Sequence, residues 1–176
     1  MRKIACTLLI ASLSLGGAFA QAALTKSSSL PAVDGVIGAA EYQYSGTVSG
    51  TIKVYASLGT DNLLYIAVEA PTSGWVAAGV GGLVMNGSRL FLGATQDGKP
   101  ALIEKSGTGH FYADAKELVV KKWSVKTRGE DTVLELCLPA GAAVWKGQVN
   151  AIFAYAKTSS FTTRHSARGS MSFEVK

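Results

Sequence analysis

The 176-residue sequence has two cysteines, and only Cys137 lies beyond the N-terminal apolar segment that holds Cys6. An internal disulfide is therefore excluded in the remainder of the chain, and so is any Cys-x-x-Cys motif. The sequence also has no internal repeat and no stretch with sustained helical periodicity. A domain without disulfides has to be stabilised by its hydrophobic core, and a chain of this length can bury one.

Long apolar runs are missing as well, because none after the N-terminus approaches the roughly 18 residues that span a membrane. The first 20 residues instead have the parts of a secretory signal: the basic Met1–Lys3, the apolar Ile4–Leu15 and the small-x-small site Ala18–Ala20. We predict a signal peptide over residues 1–20 and a mature protein in the periplasm or outside the cell. An uncleaved N-terminal anchor is the alternative.

Charge is low and evenly spread. Without Arg2 and Lys3 the chain has 15 basic and 12 acidic residues, so the formal net charge falls from +5 to +3. A nucleic-acid-binding protein needs a basic face with interleaved aromatic residues, and the scattered lysines and arginines do not form one. We therefore predict no nucleic-acid partner.

Catalytic motifs are absent too. The sequence contains no Gly-x-Ser-x-Gly elbow, no His-Glu-x-x-His pair and no glycine-rich phosphate loop with its lysine. Carboxylates are available for a paired-carboxylate glycosidase, but no spacing favours one. We predict that the protein is not an enzyme.

What the sequence does have is short alternating runs separated by glycine-rich turns. Residues 52–56 and 64–68 alternate apolar with other side chains around the turn Gly59–Asn62, as in an antiparallel sheet with one wet face. Similar runs cover 75–80, 89–95, 100–104, 118–126, 132–138, 148–156 and 170–175. About nine or more strands predict an all-β sandwich or barrel, with at most one helical turn in 138–145. We predict a short lead-in over 21–32 and one domain over 33–176.

Few side chains can bind a soft metal. The predicted mature chain has the methionines Met85 and Met171 and the histidines His110 and His165. Met171 alternates with serines on the last strand and is expected to pack in the core. Met85 lies in a glycine-flanked loop, from which a thioether can reach a metal. Taken alone, Met85 is better explained as a hydrophobic residue buried under its loop, and the two histidines by solvent exposure.

The order of these motifs resembles the DOMON family, whose haem-binding members include the cytochrome domain of cellobiose dehydrogenase. The similar pieces are Val33–Ile37 with Glu41-Tyr42, Leu64–Val68, Gly74–Gly79, Met85–Ser88 with the strand to Gly93, and His165-x-x-Arg168-Gly169-Ser170. The resemblance spans residues 33–175. It implies an immunoglobulin-like antiparallel β-sandwich that binds haem or sugars.

The resemblance also implies a ligand pair. Haem-binding members use a methionine from the loop after the tryptophan strand and a histidine from the loop before the last strand, which are Met85 and His165 here. Since the Cys-x-x-Cys-His motif of covalent attachment is absent, the implied cofactor is noncovalent haem b. A methionine–histidine pair fills both axial positions, which suits single-electron transfer to or from a partner protein.

If haem is bound, neighbouring residues are candidates for further roles. Lys157, Arg164 and Arg168 could pair with haem propionates, with a solvated loop as the alternative. Trp75, Phe91, Tyr112 and Phe161 could line the haem slot, with plain core packing as the alternative. Two departures from the family stand out: Arg89 replaces a common acidic residue, and residues 79–82 are a loose form of the usual glycine–aromatic ending. Lys157 or His110 as the ligand instead of His165 is the alternative.

Two other functions stay open at this stage. The first is a carbohydrate-binding module of the same fold without haem, with Tyr55, Tyr65 and Trp145 as candidate sugar-stacking residues. The second is an accessory domain without a ligand. Cys137 alternates with Leu136 and Leu138 on the expected outer face, where it is either a spare thiol or the site of a dimer disulfide.

Overall fold

The computed structural model describes residues 22–176 with the exception of His110. The predicted signal peptide at 1–20 therefore lies outside the described residues. In the described part, no helix is long and apolar enough to cross a membrane.

The described residues form fourteen strands and one 3-10 turn. The strands are β1 (Ala22–Leu24), β2 (Lys26–Ser27), β3 (Tyr44–Val48), β4 (Ile52–Gly59), β5 (Leu63–Ala70), β6 (Val76–Val80), β7 (Arg89–Gln96), β8 (Lys99–Thr108), β9 (Phe111–Asp114), β10 (Lys122–Arg128), β11 (Asp131–Pro139), β12 (Val144–Trp145), β13 (Gln148–Tyr155) and β14 (Ala167–Val175). The 3-10 turn, Ala140–Ala142, is the helical turn predicted within 138–145.

Two sheets pack against each other. The first sheet has the order β1-β14-β13-β6-β7-β8-β9, with β12 on β13, and the second has the order β10-β11-β5-β4-β2, with β3 on β4. All pairs are antiparallel except β1 with β14 and β2 with β4. The all-β sandwich prediction is confirmed. The segment predicted as a lead-in contributes β1 to one sheet and β2 to the other, and Leu24, the last residue of β1, is fully buried.

Alternation along the strands builds the main core between the sheets. The predicted inward residues of β5, Leu64, Ile66 and Val68, have no exposed surface, and they pack against Phe153 of β13 and other buried residues. Phe91 also belongs to this core and is fully buried. Phe91 was expected to line the haem slot, and this expectation is wrong. Its neighbours Leu90 and Leu92 take the outward positions on β7, so Phe91 faces the main core.

The strand predicted from Leu118 begins at Lys122 instead. The buried carboxylate of Glu104 accepts hydrogen bonds from the backbone N–H groups of Val119 (3.0 and 3.1 Å) and Val120 (3.3 Å), which keeps this segment out of the ladder. Arg89 Nη1 lies 3.1 Å from Glu104 Oε1. The unusual Arg89 is therefore the ion-pair partner of a buried acid.

The outer face of the second sheet is covered by the segment before β3, and one buried carboxylate ties this segment to the sheet. Glu135 of β11 has no exposed surface. It accepts hydrogen bonds from the Tyr42 hydroxyl (2.7 Å), the Asp34 N–H (3.0 Å) and the Gly35 N–H (2.5 Å). Burial raises the pKa of Glu135 and the hydrogen bonds oppose that rise. Cys137 on the same face is only 4% exposed, which favours a packed thiol over a dimer disulfide.

Replacing Glu135 by alanine is expected to lower the free energy of unfolding by about 2–4 kcal/mol, because three donors, two of them buried, lose their acceptor. Glu135→Gln is expected to cost about 1 kcal/mol, since its oxygen can keep the two N–H groups while its amide donates to Tyr42. Urea denaturation measures both. Glu130→Ala, in the exposed β10–β11 turn, is the control and should change little. Equal losses from the alanine and glutamine variants would contradict this role.

Candidate functional site

The outer face of the first sheet is also apolar around β6, β7 and β13, so these strands have no fully solvent-exposed face. Outward residues of β6, β7 and β13 join the buried Trp75 in a second hydrophobic cluster, which includes Ala77, Leu90, Leu92, Ile152 and Ala154. Two loops extend over this face: residues 81–88, here called the Met loop, and residues 156–166, the His loop. Between them lies a pocket of about 1060 Å³.

The Met loop follows β6 directly and is fixed by backbone hydrogen bonds. The Ser88 N–H donates to the Met85 carbonyl oxygen (3.0 Å) in a tight turn, and the Ser88 hydroxyl donates to the Val84 carbonyl oxygen (2.6 Å). Gly107 of β8 lies so close that a Cβ there would overlap the Met85 carbonyl oxygen. Met85 is half-buried and lines the pocket.

The His loop is attached at the other end of β6. The Trp75 N–H donates to the Thr158 carbonyl oxygen (3.0 Å), and the indole Nε1–H donates to the Thr163 carbonyl oxygen (3.2 Å). The Gln96 side chain donates to the Ser159 carbonyl oxygen (2.6 Å). His165, also half-buried, lines the pocket.

The tertiary structure thus brings Met85 and His165 to one pocket from opposite ends of β6. A five-residue strand is about 16 Å long at roughly 3.3 Å per residue. The points at which the two loops leave the sheet are therefore about one strand length apart. The apolar outer face between them forms the floor of the pocket.

Basic residues, and no carboxylates, occupy the charged positions of the pocket lining. Arg164 and Arg168 are exposed and line the pocket beside His165. Among the described residues neither arginine forms a salt bridge. Burial first, and then the charges of Arg168 and Arg164, lower the pKa of His165 below its usual 6.5. The imidazole is therefore neutral at pH 7, the state in which it can bind a metal.

The pKa of His165 in the haem-free protein is expected to lie below that of a histidine in the unfolded chain, and Arg168→Gln is expected to raise it. NMR titration of the imidazole measures both values. As the pH falls, His165 is protonated in the unfolded state at a higher pH than in the folded state. The contribution of His165 to stability therefore decreases as the pH falls through about 6.5, and it levels off below the folded-state pKa. A pKa at or above 6.5 in the haem-free protein would contradict the described surroundings.

Most of the predicted site residues meet in this pocket. Trp75, Met85, Tyr112, Phe161, Arg164, His165 and Arg168 all line it. Lys157 is exposed and does not line it, so the geometry does not favour Lys157 as a substitute ligand. Phe91 lies in the main core, and His110 is outside the described residues.

Sequence reasoning missed the floor of the pocket. Leu90, Leu92, Ile152 and Ala154 lie in predicted strands, but the sequence analysis gave them no role in the site. A usable signal was present: residues 90–94 are apolar without a break, and an unbroken apolar run marks a strand buried on both faces. Leu83 and Val84 of the Met loop also line the pocket while remaining 47% and 65% exposed.

Comparisons with known proteins show the fold. No family model matches the sequence, and no curated protein sequence matches it. Among solved structures, the chain is similar to the cytochrome b domain of pyranose dehydrogenase from Coprinopsis cinerea, with a TM-score of 0.58 and 16% identity over 74% of this chain and 80% of that one. It shares the fold of a cytochrome b domain.

Two further structures show the range of this fold. The cytochrome domain of Myriococcum thermophilum cellobiose dehydrogenase has a TM-score of 0.58 and 12% identity over 76% of this chain and 81% of that one. A family 9 carbohydrate-binding module from Caldicellulosiruptor kristjanssonii, in complex with cellotriose, has a TM-score of 0.55 and 11% identity over 89% of this chain and 94% of that one. The fold therefore does not by itself identify the function, because it is shared by cytochrome domains and by a carbohydrate-binding module.

Proposed function

We propose that this protein is an exported b-type cytochrome domain, in which Met85 and His165 hold noncovalent haem for single-electron transfer with a partner protein. One observation carries the proposal: the loop methionine and the loop histidine line the same apolar pocket, although 80 positions separate them in the sequence. The likeness in fold to two cytochrome domains supports it.

The residues of the pocket fit haem in three respects. A thioether and a neutral imidazole are the donor pair of many electron-transfer haems. The pocket volume of about 1060 Å³ is at the upper end of the roughly 300–1,000 Å³ of ligand pockets, as a large planar ligand requires. Arg164 and Arg168 offer two guanidinium groups without carboxylate partners, which suits a ligand with two carboxylates.

The protein residues have separable tasks in this proposal. Met85 and His165 would occupy the two axial positions, and haem held in this way supplies a one-electron couple without an open coordination site. Leu90, Leu92 and Ile152 exclude water from the floor. Arg164 and Arg168 orient the ligand by charge at the rim.

The test is an absorption spectrum of the protein, produced with its N-terminal segment in a host that exports it and with haem supplied, first oxidised and then reduced with dithionite. We expect a low-spin b-type spectrum with sharp bands in the reduced state. A protein that stays colourless, and that also fails to take up added haemin after purification, would show the proposal to be wrong.

A carbohydrate-binding module is the second candidate, favoured by the cellotriose-bound structure of similar fold. Its three aromatic candidates differ in exposure. Tyr65 is buried and donates to Asp61 (2.7 Å), Tyr55 is half-buried and donates to Glu69 (3.0 Å), and Trp145 is 72% exposed. Calorimetry of the haem-free protein with cello-oligosaccharides tests this function, and binding lost in Trp145→Ala would establish it.

A further inference from the structure

One hairpin contacts both loops of the pocket. The β8–β9 hairpin lies at the edge of the first sheet, and all four residues of β9 are exposed. Two of its described residues, Gly109 and Tyr112, help to line the pocket. The hairpin is therefore neither a part of the main core nor a free extension.

The hairpin is joined to the Met loop by three hydrogen bonds. The Gly87 N–H donates to the Gly107 carbonyl oxygen (3.0 Å), and the Gly107 N–H donates to the Ser88 carbonyl oxygen (2.9 Å). The Gly109 N–H donates to the side-chain oxygen Oδ1 of Asn86 (2.9 Å). The residues that follow Met85 are thus held by the hairpin.

The hairpin is joined to the His loop by a single side chain. The Tyr112 hydroxyl donates to the Phe161 carbonyl oxygen (2.6 Å). Among the described residues, which do not include His110, this is the only hydrogen bond between the hairpin and the His loop. Phe161 belongs to the hydrophobic cluster below the pocket and precedes His165 by four residues. Among the described residues, no hydrogen bond joins the Met loop and the His loop directly.

We infer that the β8–β9 hairpin sets the distance between Met85 and His165, and that Tyr112 is the positioning residue through which it acts on the His loop. This inference rests on the proposed haem ligation. The two ligand loops start at opposite ends of β6, and each can shift separately on its own attachment. A bridge at the pocket side couples them, so that both axial donors are held at the spacing that one planar ligand requires.

The spacing has a chemical consequence. A thioether is a weak ligand, and its contribution is the first to be lost when the donors move apart. Methionine ligation raises the reduction potential of haem iron. A released His loop is therefore expected to weaken the methionine bond, lower the potential and shorten the residence of haem, while the pocket still binds it.

Tyr112→Phe tests the bridge, because it keeps the ring that lines the pocket and removes only the hydroxyl. We expect haem release to an apoprotein acceptor to become about two- to tenfold faster, the equivalent of one hydrogen bond. The methionine charge-transfer band of the oxidised form should weaken and the potential should fall. In the haem-free protein, amide hydrogens of residues 159–166 should exchange faster. Tyr44→Phe, whose hydroxyl makes no hydrogen bond among the described residues, is the matched control and should show none of these changes.

A second variant makes the test independent of any one tether. Asn86→Ala releases the hairpin from the Met loop side chain, and the double variant with Tyr112→Phe completes a cycle. Asn86→Ala leaves the two backbone hydrogen bonds of Gly107 in place, so it loosens this end of the bridge without freeing it. If the hairpin couples the loops, the two changes are less than additive, because a loosened bridge transmits less of the constraint from the other end. Additive effects, or a Tyr112→Phe protein identical to the parent in potential and exchange, would overturn the inference while leaving haem binding intact. A parent protein that binds no haem would instead refute the proposed function itself.

Discussion

Alanine at Met85 or at His165 is expected to remove the low-spin, two-ligand spectrum of the haem-loaded protein. Each substitution opens one axial position, so the iron becomes high-spin or binds water. Since changes in residues that only support a metal ligand already cost about 10- to 100-fold in affinity, loss of a ligand should cost at least that much. Absorption spectra in both oxidation states and haem titration measure the two effects. Met85→Ala should also lower the reduction potential.

The chain offers matched controls for this pair. Met171 packs against the main core, so Met171→Leu should leave the spectrum unchanged and the stability within about 1.5 kcal/mol. His110→Ala controls for the only other histidine beyond the predicted signal peptide. An unchanged low-spin spectrum in Met85→Ala or in His165→Ala would assign that axial position to another residue.

A methyl group at Gly107 is expected to displace the Met loop and weaken haem binding by tenfold or more. The Cβ of alanine would overlap the Met85 carbonyl oxygen and lie 2.8 Å from its carbonyl carbon and 3.1 Å from its Cγ. These are mainly backbone contacts, so the loop has to move as a unit. Overpacking of this kind costs about 1–3 kcal/mol, and under the proposed function the displaced Met85 would no longer be placed to hold the same iron as His165. Haem titration and thermal unfolding measure the two losses.

The glycine at position 141 provides the control for Gly107→Ala. No atom lies within 4 Å of a Cβ built on Gly141, and this turn is on the surface away from the pocket lining. Gly141→Ala should therefore bind haem as the parent does. Gly74 lies under the His loop as Gly107 lies under the Met loop, since a Cβ on Gly74 would lie 2.6 Å from the Thr158 nitrogen. If Gly107→Ala binds haem normally, the Met loop does not depend on this close approach.

Most strands could be predicted because alternation is a local signal. The runs at 52–56, 64–68 and 132–138 are strands with the expected inward faces. The exceptions have long-range causes. β1 and β2 are two or three residues long and parallel to partners over 30 or 150 positions away. The start of β10 depends on the carboxylate of Glu104, which no local pattern contains.

The site could be predicted in part, because the residue types that bind haem are rare in this chain. Only two methionines and two histidines lie beyond the predicted signal peptide. The family resemblance therefore had to single out one methionine and one histidine as candidate ligands. The pocket floor was not predicted, since whether an apolar residue faces the main core or the outer face depends on which loops cover that face. Phe91 and Leu92 have the same local character and point in opposite directions.

The sequence by itself determined the all-β class, the absence of an internal disulfide beyond residue 20, and the small set of side chains that can serve as metal ligands. These properties follow from composition and from a period of two residues, which act over short distances. Only the tertiary structure decided that Met85 and His165 face one pocket, that Glu104 and Glu135 are buried tethers, and that the β8–β9 hairpin joins the two loops. These features depend on contacts between distant segments, which exist only after the sheets have packed.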